Sequence, residues 1–239
     1  MRIALLISGG GTTMEAIIKA ARDGQLPKVH PALVISSSEN AGGIEKAKNL
    51  GIKEENILIT KPRGFEAEED FGKAIISECR KRDVDFIGQY GWLVKTPKNV
   101  CEAYRGMIVN QHPGPLDNGR PDFGGAGMYG LRVHQARLLF VERTKHDFWT
   151  EATVHRVTAN FDEGKIIKRK QIPILPGDTA ETLQKRVLPA EHQVQIEVLK
   201  DFSEGKVEEF IREIPLVLSS EEKILEECKE LAKKMYPKG

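Results

Sequence analysis

What this sequence lacks narrows its function first. The 36 basic and 35 acidic side chains nearly cancel, leaving a formal net charge of +1 over 239 residues. No global field therefore draws it to nucleic acid or an anionic membrane, and any anion must be held by a local site. No apolar stretch approaches the roughly 20 residues of a membrane span. The apolar start, Ile3 to Ile7, is too short for a secretory leader and runs straight into glycines. Only three cysteines are present, Cys79, Cys101 and Cys228. Odd in number and far apart, they exclude a disulfide frame and indicate a reducing compartment, read as cytoplasmic. No His/Cys/Asp/Glu spacing suits a metal, and there is no internal repeat, low-complexity segment or clear linker.

The chain that remains alternates strands and helices. Residues 2–8 read as a fully buried parallel strand, because the run is apolar without alternation. Ser8-Gly9-Gly10-Gly11-Thr12-Thr13 comes next, and 14–21 has helical spacing. Strand, glycine loop and helix aim backbone N–H groups and a helix dipole at a phosphate. Thr12 and Thr13 can cap that helix or bind an anion; a plain tight turn with an N-cap is the alternative. The loop is neither a P-loop nor a full GxGxxG dinucleotide site. Further strands are expected at 31–36, 57–60, 85–89 and 106–110, with helices at 41–50, 66–82 and 97–104. The apolar stretch Tyr90-Gly91-Trp92-Leu93-Val94 is either core or, if exposed, a flat wall for an aromatic ligand.

From residue 114 to 130, six glycines make a long loop, for which a closing lid is one reading. A helix at 131–142 is expected after it, then strands at 151–158 and 166–172 flanking the turn Asn160 to Gly164. Residues 178–203 read as a helix kinked at Pro189. The tail at 219–235 reads as a surface helix packed through Ile224, Leu225, Leu231 and Met235. This organisation predicts an α/β doubly wound, mostly parallel sheet with an antiparallel C-terminal edge and C-terminal helices.

One stretch concentrates chemistry. Met107-Ile108-Val109 ends at Asn110, Gln111, His112 and Pro113. Residues i and i+2 share a strand face, so Asn110 and His112 point the same way, and Pro113 ends the strand. Open α/β sheets bind ligands at such carboxyl ends. A plain turn could use the same residues.

Three separated stretches then coincide: Ile7 to Thr13, Asn110 to Pro113, and Val154 to Val157 with Asp162 to Ile167. Together they resemble the folate-dependent formyltransferases, over residues 1–205. The glycine loop with Ser8, and Glu191-His192, favour the branch acting on glycinamide ribonucleotide (GAR) in purine (IMP) synthesis. The resemblance implies a Rossmann-like formyltransferase domain at 1–205. Its half at about 1–105 would take phosphate, its half at about 106–205 would take folate and carry catalysis, and 206–239 would be a helical appendage. It implies Asn110, His112 and Asp162 as catalytic. Ser8, Gly10, Gly11, Thr12, Thr13, Pro113 and Glu191 would bind the substrate. Trp92, Leu93, Val94, His155 and Val157 would hold 10-formyltetrahydrofolate, with no metal. The partners expected are small molecules, neither nucleic acid nor membrane, with the chain a monomer or homodimer. Other outcomes remain open: formyl transfer to another amine such as an amino-sugar nucleotide, hydrolysis of the formylfolate, or non-catalytic nucleotide or folate binding. No domain is expected ahead of the first strand, as the hydrolases would have. The stretch after Gly205 falls short of the roughly 50 residues of a small domain, as the transferases acting on tRNA would need.

The residues suit the chemistry that the resemblance implies. Formyl transfer to an amine develops an oxyanion. Asn110 can donate to it, and a protonated His112 can add charge; one such donor is worth about 10²–10³ in rate. Asp162 beside His112 would favour the imidazolium and help move a proton, worth about 10²–10⁴.

Overall fold

The computed structural model describes residues 1–239. Seven strands form one sheet in the order β3-β2-β1-β4-β5-β6-β7. They are β1 (Arg2–Ile7), β2 (His30–Ser36), β3 (Ile57–Ile59), β4 (Phe86–Gln89), β5 (Ile108–His112), β6 (Trp149–Arg156) and β7 (Ile166–Pro173). The helices are α1 (Thr12–Arg22), α2 (Gly42–Asn49), α3 (Glu68–Arg80), α4 (Lys98–Ala103), α5 (Leu131–Thr144), α6 (Ala180–Glu204) and α7 (Glu222–Met235). β1 pairs in parallel with β2 and β4, β2 with β3, and β4 with β5, while β6 and β7 pair antiparallel. This is the doubly wound, mostly parallel sheet with an antiparallel edge that the strand–helix alternation predicts.

By contacts the chain forms two compact units. The first comprises Met1–Asn110, Arg156–Ala159 and Gln195–Val207. Its centre is β1, where Ile3 to Ile7 are all inaccessible to solvent. A central parallel strand is covered on both faces, which is why the run is apolar without alternation. One core layer joins Leu6, Leu33, Phe71, Ile75, Ile87 and Trp92, with Val94 and Val157 half-buried against it. Gly11, the N-cap of α1, is left-handed (φ 63°), and no side chain caps the helix, so of the two roles open to Thr12 and Thr13 capping is not the one used. A glycine is required there twice over: by that φ, and because a Cβ would lie 2.7 Å from the Gly43 Cα.

The second unit comprises Gln111–His155, Asn160–Val194 and Glu208–Gly239. Its core joins Phe123, Met128, Val133 and Phe140 to Leu225, Cys228 and Ala232 of α7. α7 therefore buries the 225, 228 and 232 stripe, one helical face. Of the four residues expected to pack it, Leu225 is buried and Ile224 partly so, but Leu231 and Met235 face solvent. The glycine-rich segment 114–130 is irregular, as expected, yet Leu116, Asp117 and Phe123 within it are fully buried.

Two local features have simple causes. β5 starts at Ile108 rather than 106, because Gly106 (φ 79°) and the Met107 N–H bonded to Tyr104 O form a turn first. The strand continues through His112 and stops at Pro113, which has no N–H. α6 runs as one helix with Pro189 inside it, the position at which the sequence predicts a kink. A single missing N–H costs one hydrogen bond, which the packing of Leu183, Val187, Val194 and Val198 outweighs.

Candidate active site

The strand end places His112 as its sequence position suggests. The ring is almost wholly buried, with Nδ1 3.6 Å from Asp162 Oδ2 and Nε2 3.2 Å from the Phe123 carbonyl. A carbonyl only accepts, so Nε2 carries the hydrogen, and in the neutral ring the Nδ1 lone pair faces Asp162. Asp162 also takes the Gly125 N–H at 2.9 Å and faces His155 Nε2 at 3.2 Å. Its backbone is left-handed (φ 58°), a conformation that Asp tolerates better than most side chains and that here aims the carboxylate inward.

The electrostatics favour a carboxylate opposite a histidine. Burial pushes the Asp162 carboxyl up, but His112, the hydrogen bond from His155 and the Gly125 N–H outweigh it and hold it well below the usual range. Burial pushes His112 down, and His155 adds to that. Asp162, Asp122 and the Phe123 carbonyl pull it up without fully compensating. The carboxylate thus stays ionised, while the imidazole is pushed down on balance and owes the proton affinity it keeps chiefly to Asp162.

Asn110 lies two residues before His112 on β5, half-buried, and shares its strand face. Gln111, between them, points to the other face and donates to Glu191 Oε1 at 2.6 Å. Burial pushes the Glu191 carboxyl up to about 7, with the Gln111 bond pulling the other way. Gln111 Oε1 is buried without a partner. An amide oxygen so placed suits a ligand amine or hydroxyl.

In the first unit, Ser8 Oγ meets Ser37 Oγ at 2.6 Å and accepts the Leu93 N–H at 2.8 Å. That ties the glycine loop to the 90–94 loop. Gly10 is exposed, Thr12 half-exposed and Thr13 buried, at the start of α1 where N–H groups lack intrahelical partners. Trp92 is core, stacked on Phe71 with ring centroids 6.5 Å apart, while its neighbour Leu93 is 54% exposed. Of the two readings of this loop, Trp92 takes the core one and Leu93 the accessible one. His155, expected in the folate slot, sits against Asp162.

Three further residues were not singled out from the sequence. Asp122 closes the turn that carries Phe123 and Gly125, with Oδ1 accepting Gly124 N–H and Oδ2 accepting Asp117 N–H, both at 2.8 Å. His134 on α5 is fully buried with neither ring nitrogen bonded, and burial, then His112, pushes it down to about 4. Gln111 is the third. The only sequence signal for Asp122 was a carboxylate inside a glycine run, and nothing in a helix pattern marked His134.

The chain is similar to known proteins. Residues 1–199 match the family model described as formyl transferase. The chain belongs to the formyl transferase family. A chloroplastic phosphoribosylglycinamide formyltransferase of Vigna unguiculata is 33% identical over 221 residues, covering 92% of this chain and 66% of that protein. The phosphoribosylglycinamide formyltransferase of Haemophilus influenzae is 31% identical, covering 86% of this chain and 89% of its own. Among solved structures, glycinamide ribonucleotide transformylase 1 from Symbiobacterium toebii superposes with a TM-score of 0.75 at 32% identity, over 86% of this chain and 88% of that one. This formyl transferase thus spans just under two thirds of its Vigna relative but nearly nine tenths of these bacterial ones. No helix in it is long and apolar enough to cross a membrane.

Proposed function

We propose that this formyl transferase moves the formyl group of 10-formyltetrahydrofolate to the amine of glycinamide ribonucleotide, in purine synthesis. The observation that carries the reading is the buried His112–Asp162 pair. The names borne by the relatives support GAR as the acceptor.

The residues fit both substrates. The exposed Leu93, with half-buried Val94 and Val157 over the apolar layer, offers a surface for a flat heteroaromatic ring, and Trp92 backs it from the core. The glycine loop, Ser8 and Gly10 to Thr13, is the phosphate side. Glu191, with the orphaned Gln111 oxygen, takes the ribose or amine end, and Pro113 closes the strand beside it. The folate supplies an activated formyl carbonyl. Asn110 donates a hydrogen bond where negative charge develops on the formyl oxygen. His112, protonated beside Asp162, adds positive charge there, gives a proton to the leaving nitrogen as its bond to the formyl carbon breaks, and is recharged by the proton of the attacking amine. Asp162 remains the anion throughout. His155 and the Gly125 N–H hold it in line with His112. On this reading residues 1–105 form the phosphate half and 106–205 the folate and catalytic half, with 206–239 the helical appendage.

Release of tetrahydrofolate from the formyl donor, with and without GAR, tests the proposal. GAR-dependent release that disappears in His112→Ala supports reaction and acceptor together. Release without GAR means hydrolysis, and donor binding without release means that another amine is the acceptor.

A further inference from the structure

The segment downstream of the family-matched residues reaches back to the His112–Asp162 pair through a single turn. Residues 122–125 touch both partners: the Phe123 carbonyl accepts from His112 Nε2 at 3.2 Å, and the Gly125 N–H donates to Asp162 Oδ2 at 2.9 Å. Between them Gly124 has no room for a side chain, since a Cβ there would lie 2.8 Å from the Asp162 Cβ. The Asp122 carboxylate closes the turn by taking two backbone N–H groups, Gly124 and Asp117. The far side of the turn is held from residues beyond 199, where the family match ends. Lys229 Nζ of α7 donates to the Asp122 carbonyl at 3.1 Å, the Leu216 N–H to Asp117 Oδ2 at 2.7 Å, and Arg212 Nε to the Leu116 carbonyl at 2.7 Å.

We propose that Asp122 is a positioning residue, braced by residues 208–239, whose turn fixes the orientation and tautomer of His112 toward Asp162. This rests on the reading in which His112 and Asp162 carry the chemistry. The turn works in two ways. The Phe123 carbonyl holds the ring hydrogen on Nε2, so that Nδ1 faces the carboxylate. The Asp122 charge adds to Asp162 in favouring the imidazolium. The other groups facing His112 are His155, beside Asp162, and His134 of α5. Asp122 itself faces Lys229, which is paired with Glu226, and Asp117, which is paired with Arg120.

The test is nitrogen NMR of the histidine rings in the substrate-free full chain, labelled with 15N-histidine, for wild type, Asp122→Ala, Lys229→Met and Lys229→Arg. The wild-type neutral ring of His112 carries its hydrogen on Nε2 alone. In Asp122→Ala the two tautomers mix, and the titration of His112 falls by about one pH unit. Lys229→Met shifts the tautomer balance in the same sense, and Lys229→Arg restores it. In the transfer assay kcat falls about tenfold in Asp122→Ala, with the KM for GAR unchanged. A folded Asp122→Ala protein whose His112 tautomer and titration match wild type overturns the proposal. Should that variant not fold, Lys229→Met decides, because the buried face of α7 is left intact; an unmoved His112 then overturns the bracing. If the ring signals move but wild type transfers no formyl group, the positioning stands and the proposed function falls.

Discussion

Replacing Asp162 by Asn removes one negative charge while keeping the side chain's size, so it isolates what the carboxylate does for His112. At the observed 3.6 Å, an effective dielectric near 20 puts the attraction between unit charges at about 4–5 kcal/mol. That corresponds to about three pH units in the ionisation of the ring. Burial already pushes His112 down, and without Asp162 its proton affinity falls further. The expected result is a kcat lower by about 10²–10⁴, with the limb of the pH profile set by His112 moved to lower pH by about two to three units. The assay is the initial rate of tetrahydrofolate release at saturating GAR, from about pH 5 to about pH 9. Stability gives a second readout. The Asp162 carboxyl is held below its unfolded value of about 3.9, so its contribution is in place above that pH and is lost as pH falls through the folded value. Asp162→Asn removes that part of the acid dependence. A variant with kcat within about threefold of wild type and an unmoved pH limb would refute the pairing argument.

The remaining predictions test other parts of the site. Asn110→Ala loses a donor to the developing oxyanion, so kcat should fall by about 10²–10³ with little change in folate binding, measured by steady-state kinetics alongside titration with the folate. The Glu191 carboxyl is pushed up by burial to about 7, so the wild-type fold loses stability as pH rises from about 4.5 to about 7. Glu191→Gln should flatten that loss, by about 3 kcal/mol between urea midpoints at the two ends, and a parallel pH dependence in the variant would contradict the buried carboxyl. Gly11→Ala forces a side chain onto a left-handed residue and against Gly43, so it should cost about 1–3 kcal/mol and raise the KM for GAR. An unchanged melting temperature and KM would place the phosphate site elsewhere.

Local pattern determined much of this protein. The unbroken apolar run of β1, the glycines opening α1 and the proline after His112 each act over a few residues, through burial on two faces, a positive φ and a missing N–H. The pairing of Asn110 with His112 comes from strand period alone. What only the tertiary structure decided is contact across long separations. It placed Asp162 against His112 from far downstream, and turned His155 toward that carboxylate. Trp92 became core while Leu93 beside it stayed open. The face of α7 that packs is the one matching α5 and Phe123, which selected Cys228 and Ala232 over Leu231 and Met235. The glycine-rich run read from composition as a loop, but its anchors at Asp117 and Asp122 depend on N–H donors and on Lys229 brought in from elsewhere in the chain. Hydrophobic period fixes which face an element buries; the partner that meets a buried charge is set only when the whole chain has closed around it.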